Sequence, residues 1–131
     1  MKRLKTAVLI SGRGTNMQAL IDECASPEAP AEIALIVSNV PGAPGLDRAI
    51  AADIPTLTID HRDFPDRESF EERLTQDLTV EGIELICLAG FMRLLTKRFV
   101  EHWRDRLINI HPSLLPSYKG LDTHQRALAD G

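Results

Sequence analysis

Cysteine is scarce. Cys24 and Cys87 are the only two in 131 residues, and no spacing gives a zinc site or a disulfide framework. Cys87 lies in an apolar strand-like run and Cys24 late in a helix-like segment, so both read as reduced structural thiols. Blocks of like charge are absent and the formal net charge is −4, which gives no basis for a nucleic-acid partner. No apolar run approaches the length of a membrane span, so no membrane partner is expected. Met1-Lys2-Arg3 followed by Ala7-Val8-Leu9-Ile10 has the outline of a signal peptide. That run is too short, however, and Gly12-Arg13-Gly14 follows it directly. A soluble cytoplasmic protein is the expectation. Repeats and low-complexity tracts are also missing, and no metal is implied.

What is present suits one domain over residues 1–131: the chain is 44% hydrophobic and 26% charged, long enough for a real core and too short for two. Strands are expected at 6–10, 32–37, 56–59, 85–89 and 107–110, the first of them buried. Helical segments follow at 17–24, at 46–52, and at 67–80, where Phe70, Leu74 and Leu78 recur at helical spacing. Thr96 is a fitting N-cap for a short helix through Val100, and Asp122 or Thr123 for a last helix to about Ala129. Strands alternating with helices through short loops predict an α/β fold, a Rossmann-like open, mostly parallel sheet with helices on both faces.

Two stretches could carry chemistry. Ser11-Gly12-Arg13-Gly14-Thr15-Asn16 joins the first strand to the first helix. Glycines there let the backbone turn sharply and let an anion approach the amides at a helix N-terminus. The third glycine of the dinucleotide fingerprint is missing. The ribose-reading acid is missing too, because Ser38 and Asn39 stand at the end of the second strand. A phosphomonoester therefore fits better than NAD; the alternative is a plain structural turn capped by Thr15. The second stretch is Leu107 to Pro116. Asn109 and His111 lie two positions apart at the end of an apolar run, so on a strand they share a face at its carboxyl end, where open α/β sheets bind ligands. The same two residues also suit satisfied structural positions.

Those stretches, together with Leu88-Ala89-Gly90-Phe91-Met92-Arg93, closely resemble the phosphoribosylglycinamide formyltransferases, folate-dependent enzymes of purine synthesis. The likeness runs through the whole chain, including Tyr118-Lys119-Gly120-Leu121 and Thr123-His124. It implies transfer of a formyl group from 10-formyltetrahydrofolate to the amine of glycinamide ribonucleotide. It assigns the substrate phosphate to Gly14, Thr15 and Asn16, and catalysis to Asn109 and His111. The folate falls to Arg67, Met92, Arg93, Leu94, Leu95 and Asn109. The chemistry suits these types: Asn109 can donate to the oxyanion that develops on the formyl oxygen, and His111 can supply a proton to the departing nitrogen.

Bland readings stand beside these. Arg67 also fits a solvated charge opening a helix, and Met92, Leu94 and Leu95 also fit an ordinary core. His61 and His102 lie in polar surroundings and are expected to be exposed. His124 is structural or supports the site, and Trp103 and Tyr118 are packing residues. The family's third catalytic residue is an aspartate that raises the histidine pKa. It and the family's further strands and carboxyl-terminal helix lie beyond Gly131, since neither Asp122 nor Asp130 fits its place in the pattern. The chain thus reads as the amino-terminal part of the enzyme, with little or no activity expected of it alone. Asp122 stands where many relatives have a second histidine, so its role is open, as is oligomeric state. Competing functions are a non-catalytic module binding a phosphorylated metabolite, or another folate formyltransferase. A methionyl-tRNA formyltransferase would need a tRNA-binding surface and an appended basic domain, and neither is visible. A formyltetrahydrofolate hydrolase would need an extra amino-terminal domain, whereas here the first strand begins almost at Met1.

Overall fold

The apolar runs divide by strict alternation. In the computed structural model, which describes residues 3–110, the first strand β1 (Leu4–Ile10) sends Ala7 and Leu9 to one face and Val8 and Ile10 to the other, all fully buried. Each face meets its own hydrophobic cluster. A strand enclosed on both sides is what a continuous apolar run specifies.

β2 (Ala31–Ser38), β3 (Thr56–Thr58), β4 (Leu85–Leu88) and β5 (Leu107–Asn109) complete a five-stranded sheet in the order β3-β2-β1-β4-β5. All four pairings are parallel. The helices are α1 (Thr15–Glu23), α2 (Pro44–Ala51), α3 (Arg67–Val80) and α4 (Lys97–His102), with a 3-10 turn at His61–Asp63. Met17 and Leu20 of α1 and Ala49 of α2 pack with Val8, Ile10, Ile36 and Cys87. Phe70, Leu74 and Leu78 of α3 and Phe99 of α4 pack with Ala7, Leu9, Val37 and Ile86 on the opposite face. The expected Rossmann-like sheet, with helices on both faces, is therefore the one observed.

The expected Thr96 cap is present, and Asp66 supplies a second. Asp66 accepts from Ser69 N at 2.8 Å and opens α3, and Thr96 accepts from Phe99 N at 3.3 Å and opens α4. α4 is further fastened to α3 by the buried Glu71, whose carboxylate accepts from Thr96 N at 2.7 Å and from the Thr96 hydroxyl. Trp103, 1% exposed, donates from Nε1 to Thr75 Oγ1 at 3.2 Å. These contacts hold the end of the 90–96 loop.

Three expectations are corrected. β1 begins at Leu4, not Thr6, because Leu4 N donates to Pro30 O at 2.9 Å and Leu4 pairs with Ala31; long-range pairing extends the strand where its residues are not apolar and buried. Thr15 does not cap α1: the N-cap is Gly14 at φ 76°, with no side-chain cap. His61 is only half-exposed, since its Nδ1 meets the amide of Asn39. His102 is exposed, as expected. His111, the expected helix at 122–129, Tyr118, Asp122 and His124 lie outside the described residues.

Candidate active site

The strand order reverses between β1 and β4: the chain runs outward from β1 through β2 to β3, then crosses back to β4 on the other side of β1. Parallel sheets open a crevice beyond the carboxyl ends of their strands at such a point. A cleft of about 230 Å³ lies there, lined by Ser11 to Asn16 from the end of β1 and by Ala89, Gly90 and Met92 from the end of β4.

The turn on one wall is shaped by glycine. Gly14 adopts φ 76°, and a Cβ built on it would stand 2.9 Å from Gly45 Cα and 3.0 Å from Met17 Cε. Gly45 N donates to Gly12 O at 2.9 Å, so the start of α2 rests directly on the turn. Glycine is required because two backbones meet at that spot. The consequence for α1 is chemical. With glycine as its N-cap and no acid in its first turn, no side chain among the described residues caps the first N–H groups, and the roughly half unit of positive charge at the helix N-terminus faces the cleft. Arg48 of α2 adds a guanidinium beside the turn, tied by Nε to Arg13 O at 2.9 Å. The sequence offered no signal for Arg48 at this place, since only tertiary packing brings α2 to the turn.

The other wall exposes apolar side chains. Met92 and Leu94 are 80% and 76% exposed, which excludes the ordinary core reading for both. Leu95 and Phe91 are half-buried against the α3/α4 cluster. Arg93 Nε is enclosed and lacks a hydrogen-bond partner among the described residues. The two walls are joined: Met92 N donates to Ser11 Oγ at 2.8 Å, Ser11 Oγ donates to Asn39 Oδ1 at 2.5 Å, and Asn39 Nδ2 lies 3.1 Å from His61 Nδ1. Asn39 and His61 were not among the expected site residues. The available signal was an amide directly after an apolar strand, the same kind that marked Asn109.

Of the expected residues, the cleft walls bring together Gly14, Thr15, Asn16 and Met92. Arg93, Leu94 and Leu95 continue along the same loop. Asn109 is half-buried at the carboxyl end of β5, its Cα opposite Leu88, and so shares the α3/α4 face with Leu107. Arg67 is exposed at the first turn of α3 and is not on the cleft walls. A wider groove of about 290 Å³ between α3 and α4, lined by Glu68, Glu71, Glu72, Arg98, Phe99 and His102 among others, contains none of the expected residues. Among the described residues no group of acids, histidines or cysteines is arranged to hold a metal ion, and no helix is long and apolar enough to cross a membrane.

Comparison with known proteins agrees with this geometry. The trifunctional purine biosynthetic protein adenosine-3 of Drosophila melanogaster is 51% identical over 132 residues, which are 99% of this chain and 10% of that protein. The phosphoribosylglycinamide formyltransferase of Haemophilus influenzae is 44% identical over 127 residues, 97% of this chain and 60% of that protein. The chain thus spans less than two thirds of the length of either relative. The crystal structure of the phosphoribosylglycinamide formyltransferase from Brucella melitensis superposes with a TM-score of 0.81 at 46% identity, over 99% of this chain and 68% of that one. The family description "Formyl transferase" matches residues 4–131, and this chain belongs to that family.

Proposed function

We propose that the protein of which these residues are a part transfers a formyl group from 10-formyltetrahydrofolate to the amine of glycinamide ribonucleotide. The single observation that carries this reading is the cleft at the β1/β4 switch point, which sets an uncapped helix N-terminus against an exposed apolar loop. Two of the relatives described above are named phosphoribosylglycinamide formyltransferases, which supports the group transferred and its acceptor.

On this reading the N–H groups at the start of α1, with Gly14, Thr15 and Asn16, take the substrate phosphate. A dianion there gains from the helix charge and from backbone donors that no cap competes for. Met92, Leu94 and Leu95 offer an apolar surface to the flat pterin of the donor, and Nε of Arg93, without a partner among the described residues, fits an acceptor on it. Arg67 reaches the donor from α3. The donor supplies one carbon at the formyl oxidation level. Asn109 gives an N–H to the formyl oxygen as negative charge develops on it, an interaction worth about 3–4 kcal/mol. His111 delivers a proton to the departing nitrogen. No metal takes part. The free cysteines suit a cytoplasmic setting.

The test is calorimetric titration of the full-length protein with glycinamide ribonucleotide and with a non-reactive formyl-folate analogue, followed by a transfer assay. Both ligands should bind, and Asn109→Ala should lower kcat by about 10²–10³ with folding intact. Binding of the phosphorylated ligand alone, with no transfer, would replace the enzyme by a metabolite-binding module.

A further inference from the structure

Asn39 sits at the end of β2, 2% exposed, and none of the steps above uses it. Its hydrogen-bond chain has a fixed direction. The Met92 N–H can only donate, and Ser11 Oγ is its acceptor at 2.8 Å. Ser11 then has one proton to give, and Asn39 Oδ1 is 2.5 Å away. With Oδ1 engaged, Asn39 presents Nδ2 to His61 Nδ1 at 3.1 Å, so Nδ1 is the accepting nitrogen and the neutral ring carries its proton on Nε2. Each link joins a different part of the chain: the turn after β1, the end of β2, the 3-10 turn after β3, and the loop after β4.

The consequence for Ser11 is specific. It lines the cleft, yet both functions of its hydroxyl are committed, so it is not free to hold a phosphate without breaking the chain. We propose that Ser11, Asn39 and His61 are a positioning relay: they set where the Met92 loop stands relative to the phosphate turn, and so link the donor-binding wall to an imidazole outside the cleft. This rests on the function proposed above. Ser11 fastens the first residue of the exposed apolar surface, and Asn39 holds the Ser11 hydroxyl in the one orientation that accepts from Met92. His61 fixes which end of the Asn39 amide faces Ser11.

The experiment uses the full-length protein with Ser11→Ala, His61→Ala and the double variant. Ser11 and His61 are only partly buried, so these changes spare the core. Ser11→Ala should raise KM for the formyl donor about three- to ten-fold, the size expected for one lost hydrogen bond, with KM for glycinamide ribonucleotide within two-fold. His61→Ala should move donor KM the same way by less, and the double variant should match Ser11→Ala, because without the hydroxyl His61 has no route to Met92. Nitrogen-15 spectra of the wild type should show an unprotonated Nδ1 on neutral His61, and His61→Ala should shift the Met92 amide resonance. Equal rises in both KM values, effects that simply multiply, or a proton on Nδ1 would each overturn the relay. If the wild type uses neither substrate, the functional reading fails, and the two NMR results alone decide the relay.

Discussion

Replacing Gly14 by alanine adds one carbon where the start of α2 rests on the turn. Two costs follow. The backbone is at φ 76°, where a Cβ costs about 1–2 kcal/mol. The new methyl would also stand 2.9 Å from Gly45 Cα, which is backbone and cannot step aside, and 3.0 Å from Cε of the fully buried Met17. Overpacking of that kind costs about 1–3 kcal/mol. The sum is roughly 2–5 kcal/mol, a large part of the 5–15 kcal/mol typical of a domain. Gly12 is the internal control, two residues away on the same turn: a Cβ there meets nothing within 4 Å and its φ is outside the left-handed region. Gly12→Ala should therefore lie within about 0.5 kcal/mol of the parent. Urea unfolding followed by the fluorescence of Trp103, the single tryptophan and a buried one, reads both. With a slope of about 2 kcal/mol per molar urea, Gly14→Ala should lower the midpoint by roughly 1–2.5 M and Gly12→Ala by almost nothing. Equal shifts for the two, or a Gly14 variant as stable as the parent, would refute the claim that backbone contact dictates the glycine.

Two further outcomes follow from buried groups. Glu71→Ala should destabilise by about 2–3 kcal/mol, because the N–H and hydroxyl of Thr96 lose a charged acceptor, and hydrogen exchange at the Thr96 amide should quicken; unchanged exchange would show that α4 does not depend on this tie. Burial pushes the Cys87 thiol up to about 12 from an ordinary 9.0. The folded state then keeps a proton that the unfolded state loses, so this contribution is complete below pH 9 and declines as pH rises toward 12. Cys87→Ala should flatten the alkaline fall in stability relative to the parent, by at most about 1.4 kcal/mol per pH unit, and native Cys87 should resist thiol reagents at pH 8; rapid labelling without unfolding would contradict its burial.

What could be read in advance follows from where each signal resides. β1, β4 and β5 were legible because a strand covered on both faces must be apolar throughout, and α3 because Phe70, Leu74 and Leu78 recur at helical spacing; β3 is the weaker case, with Thr56 and Thr58 exposed. The extension of β1 through Leu4 and Lys5 was not, because pairing with Ala31 and Glu32 creates it and neither partner is near in sequence. The local rule gave the α1 cap to Thr15, whose hydroxyl suits the role. Contact with Gly45 instead imposes a left-handed residue one place earlier. Apolar side chains belong inside by the same logic, yet Met92 and Leu94 point outward. A histidine among charged neighbours belongs outside, yet His61 meets a buried amide. Four of these exceptions meet at one place on the sheet, whereas the extension of β1 and the exposed Ile50 and Val80 do not line the cleft. Gly14 and Met92 line the cleft beyond β1 and β4, Leu94 continues the loop that forms one wall, and His61 is linked to both walls through Asn39 and Ser11. The caps that obeyed local rules, Asp66 and Thr96, are not on its walls. Around this crevice, among the described residues, the first donors of α1 have no side-chain cap, Arg93 Nε has no hydrogen-bond partner, and Met92 and Leu94 are exposed, so a ligand there would supply the missing partners. The combination of uncapped donors, an unmatched guanidinium nitrogen and exposed apolar side chains supports a binding site at the switch point, because a phosphorylated ligand and a flat apolar one would each find there the partner it needs.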